Sequence, residues 1–417
     1  MSFKNLKSDR ICVFGMGKIG IPLACGLLKA GYKVIGVDVN PGVVQNLNNG
    51  DIFINEPDVI EILRDSLKEN KFYATTDGVK ATRESNIMII IVPVILDKKN
   101  EPDLSNLISC CESISKGLKK GDLVITETTL PPGTTEKIVT KELGKSGMKP
   151  GEDFYVAHAP ERVYSGRILK DFNNYPKIIG GINKKSTEKA KKIYEKFHKK
   201  GTILMNNAKE AEITKIFGIV YRNVNIALAN EMARICEKLG VDFWRIRDAA
   251  NTMLYTHILK PGIPGGHCVP VYPYFIIENE KNGLIKKALE INKIVMPNHV
   301  INLTEKSLKK NNKKIEDSRI LILGRSYRKG VKEDRYSGGI LLAEKLKELG
   351  AKVTMYDPSY SREEMGRIGF EGAKNLEEAI KDKDCIIIAT DWGEFKEIEP
   401  GPKTVVIDYM NVIMSKK

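Results

Sequence analysis

Glutamine is almost missing from this chain: Gln45 is the only one among 417 residues. Lys and Glu abound instead, a usage that fits a heat-adapted source and fits low-GC coding equally well. Tryptophan is scarce, at 2 residues. No apolar stretch approaches the roughly 20 residues a bilayer-spanning helix needs. The longest, Ile87 to Ile95, contains Pro93 and reads as a buried strand. Met1 to Arg10 is polar and runs straight into a strand pattern, so no secretory signal is read there. The 7 cysteines show no Cys-x-x-Cys pair and no metal-ligand spacing, which argues against a disulfide framework and against a zinc site. The expectation is a soluble cytoplasmic protein with no membrane association and no metal.

What is present points to a folded chain. Hydrophobic residues make up 42% and charged residues 29%, enough apolar surface for a core, and the length corresponds to roughly three domains. Lys and Arg number 67 against 53 acidic residues, a net charge of +14. Such a balance suggests an anionic partner, and nucleic acid, anionic lipid or a phosphate-bearing small molecule would each satisfy it. No helix-turn-helix, RRM-type or zinc motif is present, and aromatics are not interleaved with basic residues, so no nucleic-acid partner is expected.

Strand and helix signals alternate from the start. Ile11 to Phe14, Lys33 to Val37, Ile87 to Val92 and Leu123 to Thr126 read as strands, and Pro22 to Ala30 as a helix. From Ala208 to Leu239 apolar residues recur in steps of three and four, which predicts one long helix stopped by Gly240. A further helical region runs towards Leu308. After a lysine-rich link, Lys309 to Asp317, a second alternating block follows. Its strands read as Arg319 to Leu323, Lys352 to Tyr356, Cys385 to Ala389 and Thr404 to Ile407. The fold class is α/β: two Rossmann-like doubly wound domains joined by a central helical domain, with expected boundaries 1–205, 206–308 and 309–417.

Three segments carry chemistry. Gly15-Met16-Gly17-Lys18-Ile19-Gly20 follows a strand and opens a helix, the setting in which glycines let the backbone approach a pyrophosphate. Asp38 ends the next strand, where a carboxylate would accept from the ribose hydroxyls of NAD and repel the phosphate of NADP. In the second block Gly324 is followed by Arg325, Ser326, Tyr327 and Arg328, with Lys329 and Arg335 beyond. That pattern suits a diphosphate held by side chains, or simply an exposed basic loop. Cys12, Cys25, Cys110, Cys111, Cys236 and Cys385 fall in strand or helix patterns and read as small hydrophobes. Cys268 sits instead in a Gly- and Pro-rich loop, Lys260 to Pro270, where backbone amides could hold an oxyanion beside a thiol; a structural loop cysteine fits these residues equally.

The order of motifs resembles the UDP-glucose/GDP-mannose 6-dehydrogenase family almost end to end. The pieces are Gly15 to Gly20, Val92-Pro93, Thr128-Thr129 through Gly133, Ala159-Pro-Glu161-Arg162, Lys215 with Arg222 to Ala227, Gly265-Gly266-His267-Cys268, and Tyr327-Arg328 through Arg335. Within the family, the Pro-Glu-Arg and Gly-Gly-His-Cys variants look most like the UDP-N-acetylhexosamine dehydrogenases. The resemblance implies NAD as cofactor, held by Gly15, Gly17, Lys18, Ile19, Gly20, Asp38, Val92, Pro93, Thr129 and Arg335. It implies a UDP-sugar substrate contacted by Glu161, Arg162, Lys215, Arg222, Gly265, Gly266, His267, Tyr327 and Arg328. The implied catalytic groups are Cys268, Lys215, Glu161 and Thr129. Thr129 and Lys215 would hold a water while the C6 alcohol becomes an aldehyde, Cys268 would carry a thiohemiacetal and then a thioester, and Glu161 would help water hydrolyse it. Two NAD+ would be used per sugar.

The chain departs from the family pattern at Ser165, Ile219 and Tyr272, where polar or acidic residues are usual, and at Leu254 to His257, where an arginine from a neighbouring subunit is usual. The substrate and the water-activating base are the points these changes touch. A UDP-glucose 6-dehydrogenase and a two-electron β-hydroxyacid-type dehydrogenase are the alternative readings. In the family it resembles, the long apolar helix is the element that forms dimers, so the resemblance implies a homodimer or larger homo-oligomer.

Overall fold

The computed structural model describes residues 10–52, 54, 56–277 and 283–413. The chain divides into two compact units, Met1–Phe217 with Tyr274–Ile276, and Gly218–Pro273 with Ile277–Lys417. Each is described by itself below.

The first unit is built on an eight-stranded sheet. Its strands are β1 (Arg10–Phe14), β2 (Lys33–Val37), β3 (Phe72–Thr75), β4 (Ile87–Ile90), β7 (Leu123–Thr126), β8 (Tyr155–His158), β9 (Lys177–Gly181) and β10 (Thr202–Leu204), in the order β3-β2-β1-β4-β7-β8-β9-β10. The run from β3 to β8 is parallel and follows the doubly wound order of dinucleotide folds. β8 and β9 pair antiparallel. A strand covered on both faces can be apolar throughout, and Ile87–Ile90 and Leu123–Thr126 are buried at every position.

The apolar stretch Ile87 to Ile95 is not one strand, nor does the strand reach Val92. β4 stops at Ile90, and Ile95–Leu96 (β5) pairs with Pro102–Asp103 (β6) in a separate ribbon. Pro93 has no N–H for a ladder, and the carbonyl of Val92 is taken by the hydroxyl of Thr128 at 2.7 Å. The first helix begins at Gly20 rather than Pro22. Proline is tolerated there because an amide in the first turn has no intrahelical acceptor to lose.

In the second unit the sheet is β11 (Arg319–Leu323), β12 (Lys352–Tyr356), β13 (Glu371–Gly372), β14 (Cys385–Ile388) and β15 (Val405–Ile407), all parallel, in the order β13-β12-β11-β14-β15. The long helix is Ala208–Leu239, and its residues up to Phe217 belong to the first unit. Leu284–Glu290 runs through a wide π turn, Ile291–Val295, into Met296–Lys310. Cys12, Cys25, Cys111, Cys236 and Cys385 are buried, and Cys110 is half-buried on the helix Ser105–Ser115. Among the described residues no helix is long and apolar enough to cross a membrane.

In the first sheet, His158 ends β8 and its Nδ1 shares a 2.8 Å hydrogen bond with the hydroxyl of Thr126 on β7. His158 is wholly buried, and burial, with the charges of Lys215 and Lys177 adding to it, lowers its pKa from 6.5 to about 3. The native chain therefore binds fewer protons than the unfolded chain between these values, and stability falls as pH drops below 6.5. In His158→Gln the loss of stability between pH 8 and pH 5, followed by urea unfolding, is expected to be smaller than in the unsubstituted protein. An equal loss in both would contradict a neutral His158.

Candidate active site

The glycine turn after β1 is shaped by close approach. Gly15 has φ +100°, and its amide donates to the Val37 carbonyl at 2.8 Å. At Gly20 an added Cβ would lie 1.8 Å from the Gly15 carbonyl oxygen, so only glycine lets the helix start this near the strand end. Gly17 is different: it is exposed, and nothing lies within 4 Å of where its Cβ would be. Lys18 beside it is exposed and Ile19 half-buried. The helix Gly20–Lys29 has no side-chain cap and no acidic residue in its first turn, which leaves its positive end available to an anion. Asp38 is half-buried at the end of β2, with its carboxylate accepting from Met16 N and Asn40 N, each at 2.9 Å. These residues fit NAD: an open glycine, an uncapped helix start and a partly exposed acid at the ribose position.

Around the ends of β4, β7 and β8 lie Val92, Thr129 and Glu161. The hydroxyl of Thr129 is buried, with no hydrogen-bond partner among the described residues. Its loop, Thr128 to Gly133, is tied to the long helix by Glu212, whose carboxylate accepts from Gly133 N at 2.5 Å and Thr135 N at 2.8 Å. Burial raises the Glu212 pKa to about 7 against those hydrogen bonds. Glu212 thus anchors the Thr129 loop one helical turn before Lys215, which is half-buried and close enough to His158 to lower its proton affinity. Glu161 is buried, and its carboxylate meets the ammonium of Lys177 at 2.5 Å. Arg162 donates from Nη2 to the Pro176 carbonyl at 2.5 Å. The usually acidic position, Ser165, is half-buried in the same loop.

In the second unit the loop bearing Cys268 is held at two points. Asn230, buried on the long helix, forms a two-way pair with the Gly262 peptide, accepting from its N–H at 2.7 Å and donating to its carbonyl at 2.9 Å. Asn230 also donates to Asn292 in the π turn at 2.9 Å, and Asn292 donates to the carbonyl and side chain of Asn223, each at 2.9 Å. Further along, Gly266 N donates to the Arg335 carbonyl at 2.8 Å. A Cβ on Gly265 would lie 2.6 Å from that of Tyr327, and one on Gly266 would lie 2.8 Å from the Tyr327 ring. The paired glycines are therefore the space that Tyr327 fills. Cys268 itself is half-buried. His267 points into other work: its Nδ1 sits 3.1 Å from Arg335 Nη1, and its ring packs edge-on to Tyr272 at 5.3 Å. Arg328 bonds the Tyr327 hydroxyl at 3.2 Å, whereas Arg222 and Arg335 are exposed.

Within the first unit Thr129 and Glu161 follow the ends of β7 and β8, and Lys215 lies near His158 at the end of β8. Within the second the structure gathers Gly265 to Cys268 with Tyr327, Arg328 and Arg335. Glu127, Lys177, Glu212 and Asn230 escaped the sequence reading. Glu212 shares a helical face with Lys215, three positions on, and Glu127 directly precedes Thr128, so both carried a positional signal. Lys177 carried none, since a lysine opening a strand usually faces solvent.

The second unit repeats the turn of the first. Gly324 N donates to the Tyr356 carbonyl at 2.8 Å, and a Cβ on Gly339 would lie 2.0 Å from the Gly324 oxygen. Here, however, Asp357 is wholly buried, and its Oδ2 accepts from Arg325 N, Ser326 N and the Trp392 indole at 2.9, 2.7 and 3.2 Å. Its Oδ1 accepts from Ser359 N at 2.9 Å, and the carboxylate is shut away from solvent. Together the two units define an NAD-dependent oxidoreductase carrying a second nucleotide domain of related fold.

The chain belongs to the UDP-glucose/GDP-mannose dehydrogenase family. Residues 9–198 match the family's NAD binding domain, 209–294 its central domain and 321–415 its UDP binding domain. It is 38% identical to the UDP-N-acetyl-D-mannosamine dehydrogenase of Pyrococcus horikoshii over 413 residues, covering 97% of this chain and 96% of that one. An NDP-N-acetyl-D-galactosaminuronic acid dehydrogenase of Ralstonia nicotianae is 32% identical over 98% of this chain and 97% of that one. A solved structure of a Pyrococcus horikoshii UDP-D-ManNAc dehydrogenase superposes with a TM-score of 0.89 at 36% identity, covering 97% of this chain and 96% of that one.

Gly17 and Gly20 separate ligand approach from packing. Gly17→Ala is expected to keep its unfolding midpoint and to weaken NAD binding about tenfold, measured by titration of intrinsic fluorescence. Gly20→Ala is expected to lose roughly 1–3 kcal/mol of stability in urea. Unchanged NAD affinity in Gly17→Ala would remove that turn from the cofactor site.

Proposed function

We propose that this chain oxidises the C6 alcohol of a UDP-N-acetylhexosamine, UDP-N-acetylmannosamine foremost, to the uronic acid with two NAD+ per sugar. The observation that carries it is the loop of Cys268, fixed by Asn230 and seated on Tyr327, in a chain that also bears the three family domains in order. The relatives acting on N-acetylated hexosamines support that class of sugar. The working segments are 1–205 for NAD, 206–308 for the helical part with the thiol, and 309–417 for the UDP moiety.

Bound NAD+ accepts hydride from the carbon being oxidised. The chain's own residues do the rest. The unpartnered Thr129 hydroxyl and the Lys215 ammonium hold the water that takes the alcohol proton in the first oxidation. Cys268 then adds through sulfur to the aldehyde carbon, and a cation from Lys215 steadies the oxyanion that results. The thiohemiacetal carbon can release hydride, and a thioester remains on Cys268. Glu161 takes a proton from water as the water oxygen bonds to the acyl carbon; the C–S bond breaks and the thiolate leaves. Arg328 and Tyr327 serve the UDP moiety. Dependence on NAD and a nucleotide sugar is consistent with the cytoplasm.

The long helix also favours a homodimer. Phe217, Tyr221, Leu228, Ile235 and Leu239 are between 43% and 69% exposed along it, and Tyr221, Leu228 and Ile235 recur at heptad spacing on one stripe. Light scattering at micromolar concentration should give a dimer or larger, and Leu228→Glu should shift it to monomer. A monomeric parent protein would refute the assembly.

For the chemistry, turnover of UDP-N-acetylmannosamine is expected to yield two NADH per sugar. Cys268→Ala should lower uronic acid formation about 10³-fold or more. Full turnover by that variant, or a yield of one NADH, would overturn the thiol's role.

A further inference from the structure

Behind Glu161, a group of buried ionisable side chains has no part in the steps above. The Lys177 ammonium, 2% exposed, donates to Glu127 Oε2 at 2.7 Å and to Glu161 Oε2 at 2.5 Å. Glu127 also accepts from the Tyr194 hydroxyl at 2.5 Å, and the other oxygen of Glu161 accepts from Arg162 N at 2.7 Å. The Tyr194 ring covers the ammonium, its centroid 4.8 Å away. His198, also buried, leaves both ring nitrogens without a partner in hydrogen-bond geometry among the described residues, although the Tyr175 and Phe172 backbones face them. Glu161, Arg162, Lys177 and His198 line a cavity of about 10 Å³, closed further by Asp171 and Tyr175. That is room for one water, in a polar setting that would hold it.

We propose that Lys177 is the positioning residue of the Glu161 base, and that Glu127 is the second carboxylate against which Glu161 competes for its charge. The proposal rests on the reading of Glu161 as the group that activates the hydrolytic water. The physical argument is one of counting. A buried ammonium needs a counterion, and here two carboxylates share one, so the trio carries a net negative charge unless one acid holds a proton. The two acids are not equivalent. Glu127 lies deeper; burial raises it, and the Lys177 charge only partly opposes this, leaving it near 7. Burial also acts on Glu161, but the Lys177 charge and hydrogen bond, with His198 and Arg162 N, outweigh it and hold that carboxyl below its ordinary value.

Glu161 is thus kept ionised and fixed in orientation, which is what a base for water needs. Among the described residues the groups around the pair are Lys177 from β9, Tyr194 from the helix Lys184–Tyr194, His198 from the turn after it, Arg162 from its own loop, Asp171 and Tyr175 across the cavity, and, near Lys177, the neutral His158 at the end of β8. His198 is held neutral, because burial and the Lys177 charge lower its pKa to about 4. It therefore adds no second cation at neutral pH.

The test uses Lys177→Met, Lys177→Arg and Glu127→Gln in the full-length enzyme with UDP-N-acetylmannosamine and NAD. Activity is followed from pH 3.5 to 9, and Cys268 acylation by intact mass. Lys177→Met should move the acidic limb of kcat upward by about one pH unit, accumulate acyl-enzyme, and leave the KM for the UDP-sugar within about twofold. Lys177→Arg should restore the limb. Glu127→Gln removes the competing carboxylate and should move the limb the other way, to lower pH. If Lys177→Met does not fold, the nearly isosteric Glu127→Gln decides alone. A limb that stays in place in Glu127→Gln, or in a folded Lys177→Met that is merely slower at every pH, would overturn the proposal. A parent yield of one NADH per sugar would instead refute the hydrolysis reading, and it is seen before any variant is made.

Discussion

The contact on which both sheets of this protein depend is between a helix start and the carbonyl of the strand end before it. At Gly20 and Gly339 a single methyl group would stand about 2 Å from the Gly15 and Gly324 oxygens. No rotamer change relieves such an overlap, because both partners are backbone. Pressing the helix this close brings its positive end to the carboxyl edge of the sheet, where the loops after β1, β4, β7 and β8 also converge. The position of the site follows from that packing and from the doubly wound strand order.

The second constraint is polar and buried. Glu212 pins the Thr129 loop, and Asn230 pins the Cys268 loop, each through two hydrogen bonds to backbone groups. Loops rich in Gly and Pro have many accessible conformations, so their ordering is costly. In each unit a buried side chain on a helix offsets part of that cost. The price is exacting: an acid or amide at 0% exposure that loses its partners leaves an unpaired polar group in the interior. Both anchors sit on the helix Ala208–Leu239, which also bears Lys215. Within each unit the helix residues therefore anchor a loop as well as presenting apolar surface.

Much of this was legible in the sequence for physical reasons. The bounds of Ala208–Leu239 follow from a period of three to four residues closed by Gly240, and Arg319–Leu323 and Lys352–Tyr356 from short apolar runs between turns. What was hidden was non-local. β3, β8, β9 and β10 are short or mixed in polarity, and only pairing with neighbours makes them strands. The triad of Glu127, Lys177 and Glu161 joins residues from three separate strand ends. A lysine at such a position is buried only because two acids meet it, and no spacing along the chain announces that meeting.

The two related turns also show why a motif read in one dimension misleads about ligand. Each domain has a glycine after its first strand, a helix begun by a second glycine, and an aspartate at the end of the next strand. In the first, Asp38 spends its oxygens on two amides and stays half exposed. In the second, Asp357 takes four donors, including the indole of Trp392, and is shut away from solvent. The segment from Arg325 to Ser337 replaces the short turn, turns Arg325 inward onto Asp334 and the Glu364 carbonyl, and packs Tyr327 against the loop of Cys268. The same backbone device thus leaves a half-exposed carboxylate in one domain, while in the other the acid is buried and braces the turn. The overall charge of +14 says nothing of this division. The difference between the two turns lies in the indole of Trp392 on Asp357 and in the longer loop after Gly324.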